Sequence, residues 1–109
     1  MWFYLASATK SKTRFDQART EAFLTMTTWT VYIVRCADDT LYTGIARDAA
    51  RRVEEHNSND LLAARYTRTR RPVALVYEDV VATRSDALKH EYRIKQMTRK
   101  EKEKLIMKP

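Results

Sequence analysis

The stretch LYTGIARDAARRVEEHN, residues 41–57, decides the fold. Its first residues, Leu41–Ile45, are rich in β-branched and aromatic side chains and read as a strand. Asp48 then offers a side-chain N-cap, and AARRVEEHN reads as a helix with Ala49, Ala50 and Val53 facing inward. The same stretch holds the single glycine of the chain, Gly44. Average usage of about 7% would place about eight glycines in a chain of this length. A chain that dispenses with glycine elsewhere keeps one immediately after Tyr42 and before a helix, which calls for a physical reason.

Outward from this stretch the pattern continues. TVYIVRC (Thr30–Cys36) is a second β-branched, aromatic run, and ADDT between the two is a turn with turn-favouring aspartates, so the pair forms a hairpin. Its register has two readings. A four-residue loop, Ala37–Thr40, sets Cys36 opposite Leu41 and puts Tyr32 and Tyr42 on opposite faces. A three-residue loop, Asp38–Thr40, or a bulge, pairs Ala37 with Leu41 and brings both tyrosines to one face. Beyond the helix, SNDLLAARYTRTRRP suggests a short helix around Leu61–Ala64 and a basic loop closed by Pro72. VALVYEDVV (Val73–Val81) is a third strand. Thr83 caps a helix running to about Met97, and Thr98-Arg99-Lys100-Glu101 is a capping box opening a last helix with mixed-sign, solvated faces. The order β-β-α-(α)-β-α-α gives an α+β domain, a three-stranded antiparallel sheet flanked by helices.

The totals agree with one small domain of 109 residues, with 44% hydrophobic residues to build a core. Residues 1–27 differ in texture from the rest and read as an added or flexible extension, with the domain proper at 28–109. No apolar run approaches the ~20 residues that span a bilayer, so no membrane is expected. One cysteine, Cys36, excludes an internal disulfide framework and suits a reducing, cytoplasmic setting as a small buried hydrophobe. With two histidines and one cysteine a structural zinc site is not expected. The net charge is +7, of which +5 lies from Thr28 onward, so the basicity belongs to the domain and points to a polyanionic partner.

Several side chains resist a purely structural reading. Glu91 shares a helix face with Ala87, Leu88 and Ile94, the face that should meet the sheet, and a carboxylate there must be paired, hydrated or metal-bound. Arg52 and His56 are four apart and neighbours on the helix after Gly44. Together with Glu91 they form a phosphate-handling set of cation, proton carrier and metal ligand, although each taken singly also fits a surface or boundary pair. Tyr32 and Tyr42 add hydroxyls that form a polar site if buried together and plain core filler if apart. Arg65, Arg68, Arg70 and Arg71, with Tyr66 interleaved, suit phosphate contacts as well as they suit a soluble loop.

TVYIV, LYTGIARDAARRVEEH, a third strand and then Glu91 in EYRIKQ, taken in order over residues 28 to 106, resemble the GIY-YIG endonuclease family, above all its small stand-alone bacterial members. The resemblance matches Tyr32 to the tyrosine of the first tripeptide and Tyr42 with Gly44 to the second. It matches Arg52 to the arginine at the scissile phosphate, His56 to the histidine a turn later and Glu91 to the metal-binding glutamate. Thr30 and Thr43 stand where the family has its namesake glycine and second isoleucine. The late asparagine of many members is absent, since no asparagine follows Asn59.

The resemblance implies a metal-dependent endonuclease hydrolysing DNA phosphodiesters in repair or processing. Mg²⁺ or Mn²⁺ would sit on Glu91, with Arg52 on the phosphoryl oxygens, Tyr42 bonded to the phosphate and either Tyr32 or His56 as the base. DNA, branched or damaged rather than of fixed sequence, is the expected partner, with RNA also open. The missing asparagine speaks for the alternative, a non-catalytic nucleic-acid-binding module on the same fold. Gly44 then reads as a structural part of the site. It would end a strand where the lack of a Cβ lets phosphate or another backbone come close, or be a simple turn glycine.

Overall fold

The computed structural model describes residues 27–108. The expected extension over 1–27 therefore lies, but for its last residue, outside the described residues. The elements run β1 (Trp29–Arg35), β2 (Leu41–Ala46), α1 (Ala49–Ser58), α2 (Arg65–Arg68), β3 (Ala74–Val81), α3 (Arg84–Lys95) and α4 (Arg99–Met107). The sheet is antiparallel throughout, in the order β2-β1-β3.

β1 is the central strand, and its sequence shows why. Val31, Tyr32, Ile33 and Val34 are all 0–1% exposed, an unbroken buried run of the kind found where both faces of a sheet are covered. On one face Tyr32, Val34 and Cys36 pack with Ala49 of α1 and Val73. On the other, Val31 and Ile33 pack with Ala87 and Ile94 of α3, and Leu105 and Ile106 of α4 close the edge of that cluster. Each such aliphatic side chain contributes about 1.5–3 kcal/mol by leaving water. In β3, Ile33 faces Tyr77 but Val34 faces Leu75, so Val76 is an extra residue that bends this strand.

The hairpin adopts neither of the two registers weighed from sequence. Arg35 pairs with Leu41, Val34 with Tyr42 and Tyr32 with Gly44, leaving a five-residue loop, Cys36–Thr40. Cys36 N–H donates to the Thr40 carbonyl at 2.8 Å, and Asp39 takes a left-handed conformation at φ 69°. The Asp38 carboxylate accepts from both Thr40 N–H (3.1 Å) and its hydroxyl (2.6 Å). These local bonds hold a loop that pairing rules alone do not favour. The shift from the three-residue alternative is even, so Tyr32 and Tyr42 still share a face.

The helix caps form as the sequence indicates. Asp48 accepts from Arg51 N–H, Thr83 from Asp86 N–H, and Thr98 with Glu101 forms a complete capping box. Three local expectations need correction. Ala50 is exposed, and the inward residues of α1 are Ala49, Val53 and His56. The helical turn expected at Leu61–Ala64 lies instead at Arg65–Arg68. The Asn59 side chain takes the N–H groups of Leu61 and Leu62, at 2.9 and 3.0 Å, in a turn that competes with helix there. α3 ends at Lys95, with Gln96 as its cap, rather than at Met97.

Gly44 does not end β2: Ile45 and Ala46 continue the strand, and its φ is not in the left-handed region. The reason for glycine is space. A Cβ there would lie 2.5 Å from the Tyr32 hydroxyl oxygen and 2.7 Å from Cζ. The group that approaches is thus the ring of the residue directly across the ladder. That ring is 1% exposed and its hydroxyl is hydrogen-bonded to His56, so it has little freedom to move aside. Gly44→Ala should therefore destabilise the fold by about 1–3 kcal/mol, as overpacking does. In a Tyr32→Leu background the same change should cost much less, and additive unfolding free energies in the double-mutant cycle would rule this explanation out.

Candidate active site

The site is assembled around the Tyr32 hydroxyl. β1 sends the tyrosine across Gly44 towards α1, where His56 Nε2 meets the hydroxyl at 2.9 Å. The Asp48 cap sets the start of α1, which places Arg52 one turn before His56. His56 is fully buried. Its Nδ1 lies 2.8 Å from Thr67 Oγ1 and accepts the Ala64 N–H at 3.3 Å, both from the segment that carries α2. The Tyr42 ring meets the imidazole edge-on at 5.5 Å between centroids and stacks on Tyr66 at 5.8 Å. Arg70 covers Tyr66, 3.9 Å above the ring.

Arg52 is half-buried and directs Nη1 to Glu55 at 3.0 Å and to the Leu62 carbonyl at 2.6 Å. The i, i+3 spacing to Glu55 is visible in the sequence, where Glu55 passes for a solvated surface residue; the structure makes it the carboxylate that restrains Arg52. Glu91 projects from α3 with its side chain 18% exposed, 3.4 Å from Lys95 Nζ. Its negative charge is the weakest of the influences that raise the Tyr32 hydroxyl.

Burial dominates the electrostatics. The Tyr32 hydroxyl is pushed up to about 12, first by burial, then by Tyr42 and Glu91, with Arg52 pulling the other way. His56 is held down at about 4, first by burial and then by the Arg52 and Arg71 cations, against the opposing pull of Glu55. Both groups are neutral at pH 7, in a site where Arg52 carries the fixed positive charge.

The four arginines of the expected nucleic-acid contact divide. Arg65 and Arg68 are exposed, Arg68 also donating to the Ala63 carbonyl at 3.3 Å. Arg70 lies on Tyr66 and pairs with Asp38 at 3.0 Å. Arg71 donates through Nε to the His56 carbonyl at 2.6 Å and through Nη1 to Asp60 at 2.8 Å, so it closes the C-terminal end of α1. Asn57 continues the same attachment by exchanging two bonds with the Val73 backbone, at 2.7 and 2.9 Å. Thr67 and the Ala64 N–H escape a reading of the sequence. Their contacts with His56 span eleven and eight residues, and no periodicity reports such pairings.

Among the described residues no group of three or more His, Cys, Asp or Glu side chains could cage a metal ion. Glu91 alone is a donor set of the kind Mg²⁺ uses, one carboxylate with water and substrate phosphate completing the shell. Among the same residues no helix is long and apolar enough to cross a membrane.

The profile of the GIY-YIG catalytic domain matches residues 28–104. This chain belongs to the GIY-YIG family. A UPF0213 protein of Desulfotalea psychrophila is 56% identical over 78 residues, covering 72% of this chain and 70% of that protein. A UPF0213 protein of Staphylococcus aureus is 54% identical over 76 residues, covering 70% and 90%. The solution structure of a UPF0213 protein of Bacillus halodurans is 35% identical, covers 72% of this chain and 82% of its own, and superposes with a TM-score of 0.47. This GIY-YIG domain thus stands in a nuclease family. Its two departures from the namesake tripeptides, Thr30 and Thr43, are buried strand positions at 5% and 4% exposure and leave the ladder intact.

The depressed histidine has a consequence for stability. An unfolded His56 takes up its proton near pH 6.5, whereas the folded one resists until about 4. Stability is therefore complete above about pH 6.5 and is lost as pH falls towards 4, by roughly 3 kcal/mol for a buried shift of this size. Chemical denaturation across that range should show this component in the wild type and lack it in His56→Gln.

Proposed function

We propose that this GIY-YIG domain is a metal-dependent endonuclease that hydrolyses phosphodiester bonds in DNA. The observation that carries the reading is the gathering of Tyr42, Arg52 and His56, from β2 and α1, around the Tyr32 hydroxyl of β1, with the charge of Glu91 from α3 acting on the same hydroxyl. Neither packing nor folding requires so many polar groups at one buried point, and they stand at a cost in desolvation.

In this reading the phosphate enters beside the start of α1, where Arg47, Arg51 and Arg52 line a cleft with Ala46, Asp48 and Glu55. Arg52 meets the phosphoryl oxygens as negative charge grows on them, and the guanidinium exchanges Glu55 for the phosphate. Tyr32 orients the attacking water, whose proton goes either to Tyr32, once the hydroxyl has given up its own proton to form the phenolate, or to the neutral imidazole of His56, and Tyr42 bonds the phosphate. A divalent cation on Glu91, Mg²⁺ or Mn²⁺, would supply Lewis-acid stabilisation of the phosphoryl and leaving oxygens and offset the carboxylate's pull on the Tyr32 proton. Arg65 and Arg68 extend the basic surface along the strand, and the domain carries +5 from Thr28 onward to draw it in. Branched or damaged DNA is the proposed substrate, as the sequence carries no recognition-helix signature for reading a fixed base sequence.

A second reading, a binding module without turnover, is favoured by the lack of any asparagine after Asn59 and by the engagement of Arg52 with Glu55 and the Leu62 carbonyl. Supercoiled plasmid and branched DNA, incubated with Mg²⁺, Mn²⁺ or EDTA, separate the two. Metal-dependent nicking that falls by at least about 10²-fold in both Glu91→Ala and Arg52→Ala is the expected result. Undiminished cutting by both variants refutes the assignment, and a folded wild type that binds but never cuts establishes the binding module. Each phosphate contact contributes about 0.9 to the slope of log K against log salt. Arg65→Ala and Arg68→Ala should each lower that slope by about one contact's worth, measured by fluorescence anisotropy on a labelled duplex.

A further inference from the structure

The turn between α1 and α2 sets two large apolar side chains in water. Leu61 is 92% exposed and Leu62 53%, while the next residue, Ala63, is buried. An exposed leucine by itself says nothing about function, since apolar atoms make up much of any protein surface. Two features set this pair apart. The first is that the backbone beneath it is held at each step. The Asn59 side-chain oxygen accepts the N–H groups of both leucines, at 2.9 and 3.0 Å. The Ala63 N–H donates to the Asn59 carbonyl at 2.9 Å, and the Ala63 carbonyl accepts from Arg68 at 3.3 Å. The leucines therefore stand on a fixed base, so little backbone freedom is lost when they meet a partner.

The second feature is position. The Leu62 carbonyl accepts from Arg52 Nη1 at 2.6 Å, and Arg52 lines, with Arg47 and Arg51, the cleft proposed above for the phosphate. On the other side of the turn Arg65 and Arg68 are exposed. A partner for this surface has to bring closely spaced negative charge to the arginines and an apolar face to the leucines between them. A DNA strand offers both where its bases are unstacked, whereas a continuous duplex keeps its base faces covered within the stack.

We propose that Leu61 and Leu62 form an apolar wedge that enters an open base step of DNA beside the phosphate on Arg52, and so selects branched or distorted DNA over continuous duplex. Entry costs the stacking of one step, and that cost is already met where a fork or mismatch interrupts the stack. The wedge thus favours a branch point without reading any base sequence. Leu61, the more exposed of the two, makes the larger contact. Its place beside a bond to be cut rests on the nuclease reading above; the preference for unstacked DNA is a binding property and does not.

The test compares binding of the full chain to a forked DNA and to a matched duplex of equal length, in EDTA, by fluorescence anisotropy. A 2-aminopurine in the last pair before the fork reports unstacking. The wild type should bind the fork more tightly and brighten the 2-aminopurine. Leu61→Ser should lower the ratio of fork to duplex affinity about tenfold, the scale of one leucine side chain left in water, and leave duplex binding unchanged. Leu61→Met, which keeps an apolar tip, should retain most of the ratio. Equal wild-type affinity for the two DNAs overturns the proposal, as does Leu61→Ser with an unchanged ratio or an equal loss on both. Vesicles of phosphatidylserine and phosphatidylcholine that hold the wild type but not Leu61→Ser would assign the leucines to a lipid surface and overturn it too. If the wild type prefers the fork but cuts no DNA with Mg²⁺ or Mn²⁺, the nuclease reading fails while the affinity ratio still decides the wedge.

Discussion

The Tyr32 ring lying across Gly44 is the contact on which the site depends. The two residues are direct partners in the β1–β2 ladder, and the hydroxyl occupies space that any Cβ at position 44 would claim. This overlap carries a tyrosine hydroxyl from the middle of the central strand to the buried imidazole of α1. The glycine therefore provides volume rather than an unusual backbone conformation, and it does so within a strand, where glycine is otherwise unfavourable. The Cys36–Thr40 loop serves the same contact, because its even register places Tyr42 on the face where Tyr32 already stands.

The segment between α1 and β3 is the second constraint. It grips α1 at both of the helix's functional side chains, the Leu62 carbonyl on Arg52 and Ala64 with Thr67 on His56. It is held in turn by Arg71 on the His56 carbonyl, by the Asn57–Val73 exchange and by the Ala37 N–H on the Arg70 carbonyl. A stretch whose composition suggests only a basic surface is thus largely an internal brace. Arginine suits both tasks, since its planar fork can bond a carbonyl or carboxylate as readily as a phosphate.

Charge is arranged with similar economy. The site holds a neutral phenol and a neutral imidazole in contact, with Arg52 between Glu55 and the Tyr32 hydroxyl and Glu91 acting on that hydroxyl from α3. Away from it, Arg35 and Arg99 converge on Glu103, held down at about 2, and tie the start of α4 to the end of β1. Among the described residues the arginines are accordingly divided between site, brace, sheet edge and open surface.

The order of strands and helices, the three side-chain caps and the family were all legible in the sequence, because each rests on local chemistry. β-branched runs, Asp48, Thr83, Thr98 with Glu101, and the ordered set from Tyr32 to Glu91 depend on near neighbours or fixed spacings. The hairpin register, the inward face of α1 at His56 rather than Ala50, and the placing of α2 were decided by tertiary structure. Asp38 and Asn59 make the hairpin loop and the turn before α2 through local bonds, but distant partners hold them. Arg70 on Asp38 and on the Ala37 N–H holds the first, His56 on Ala64 and Thr67 the second, and spacing along the chain carries no record of those. Gly44 shows the division most clearly. Sequence singled it out as the one glycine of the chain, fit for a close approach by phosphate or backbone or for a turn, and only the folded sheet shows that the space belongs to the Tyr32 ring.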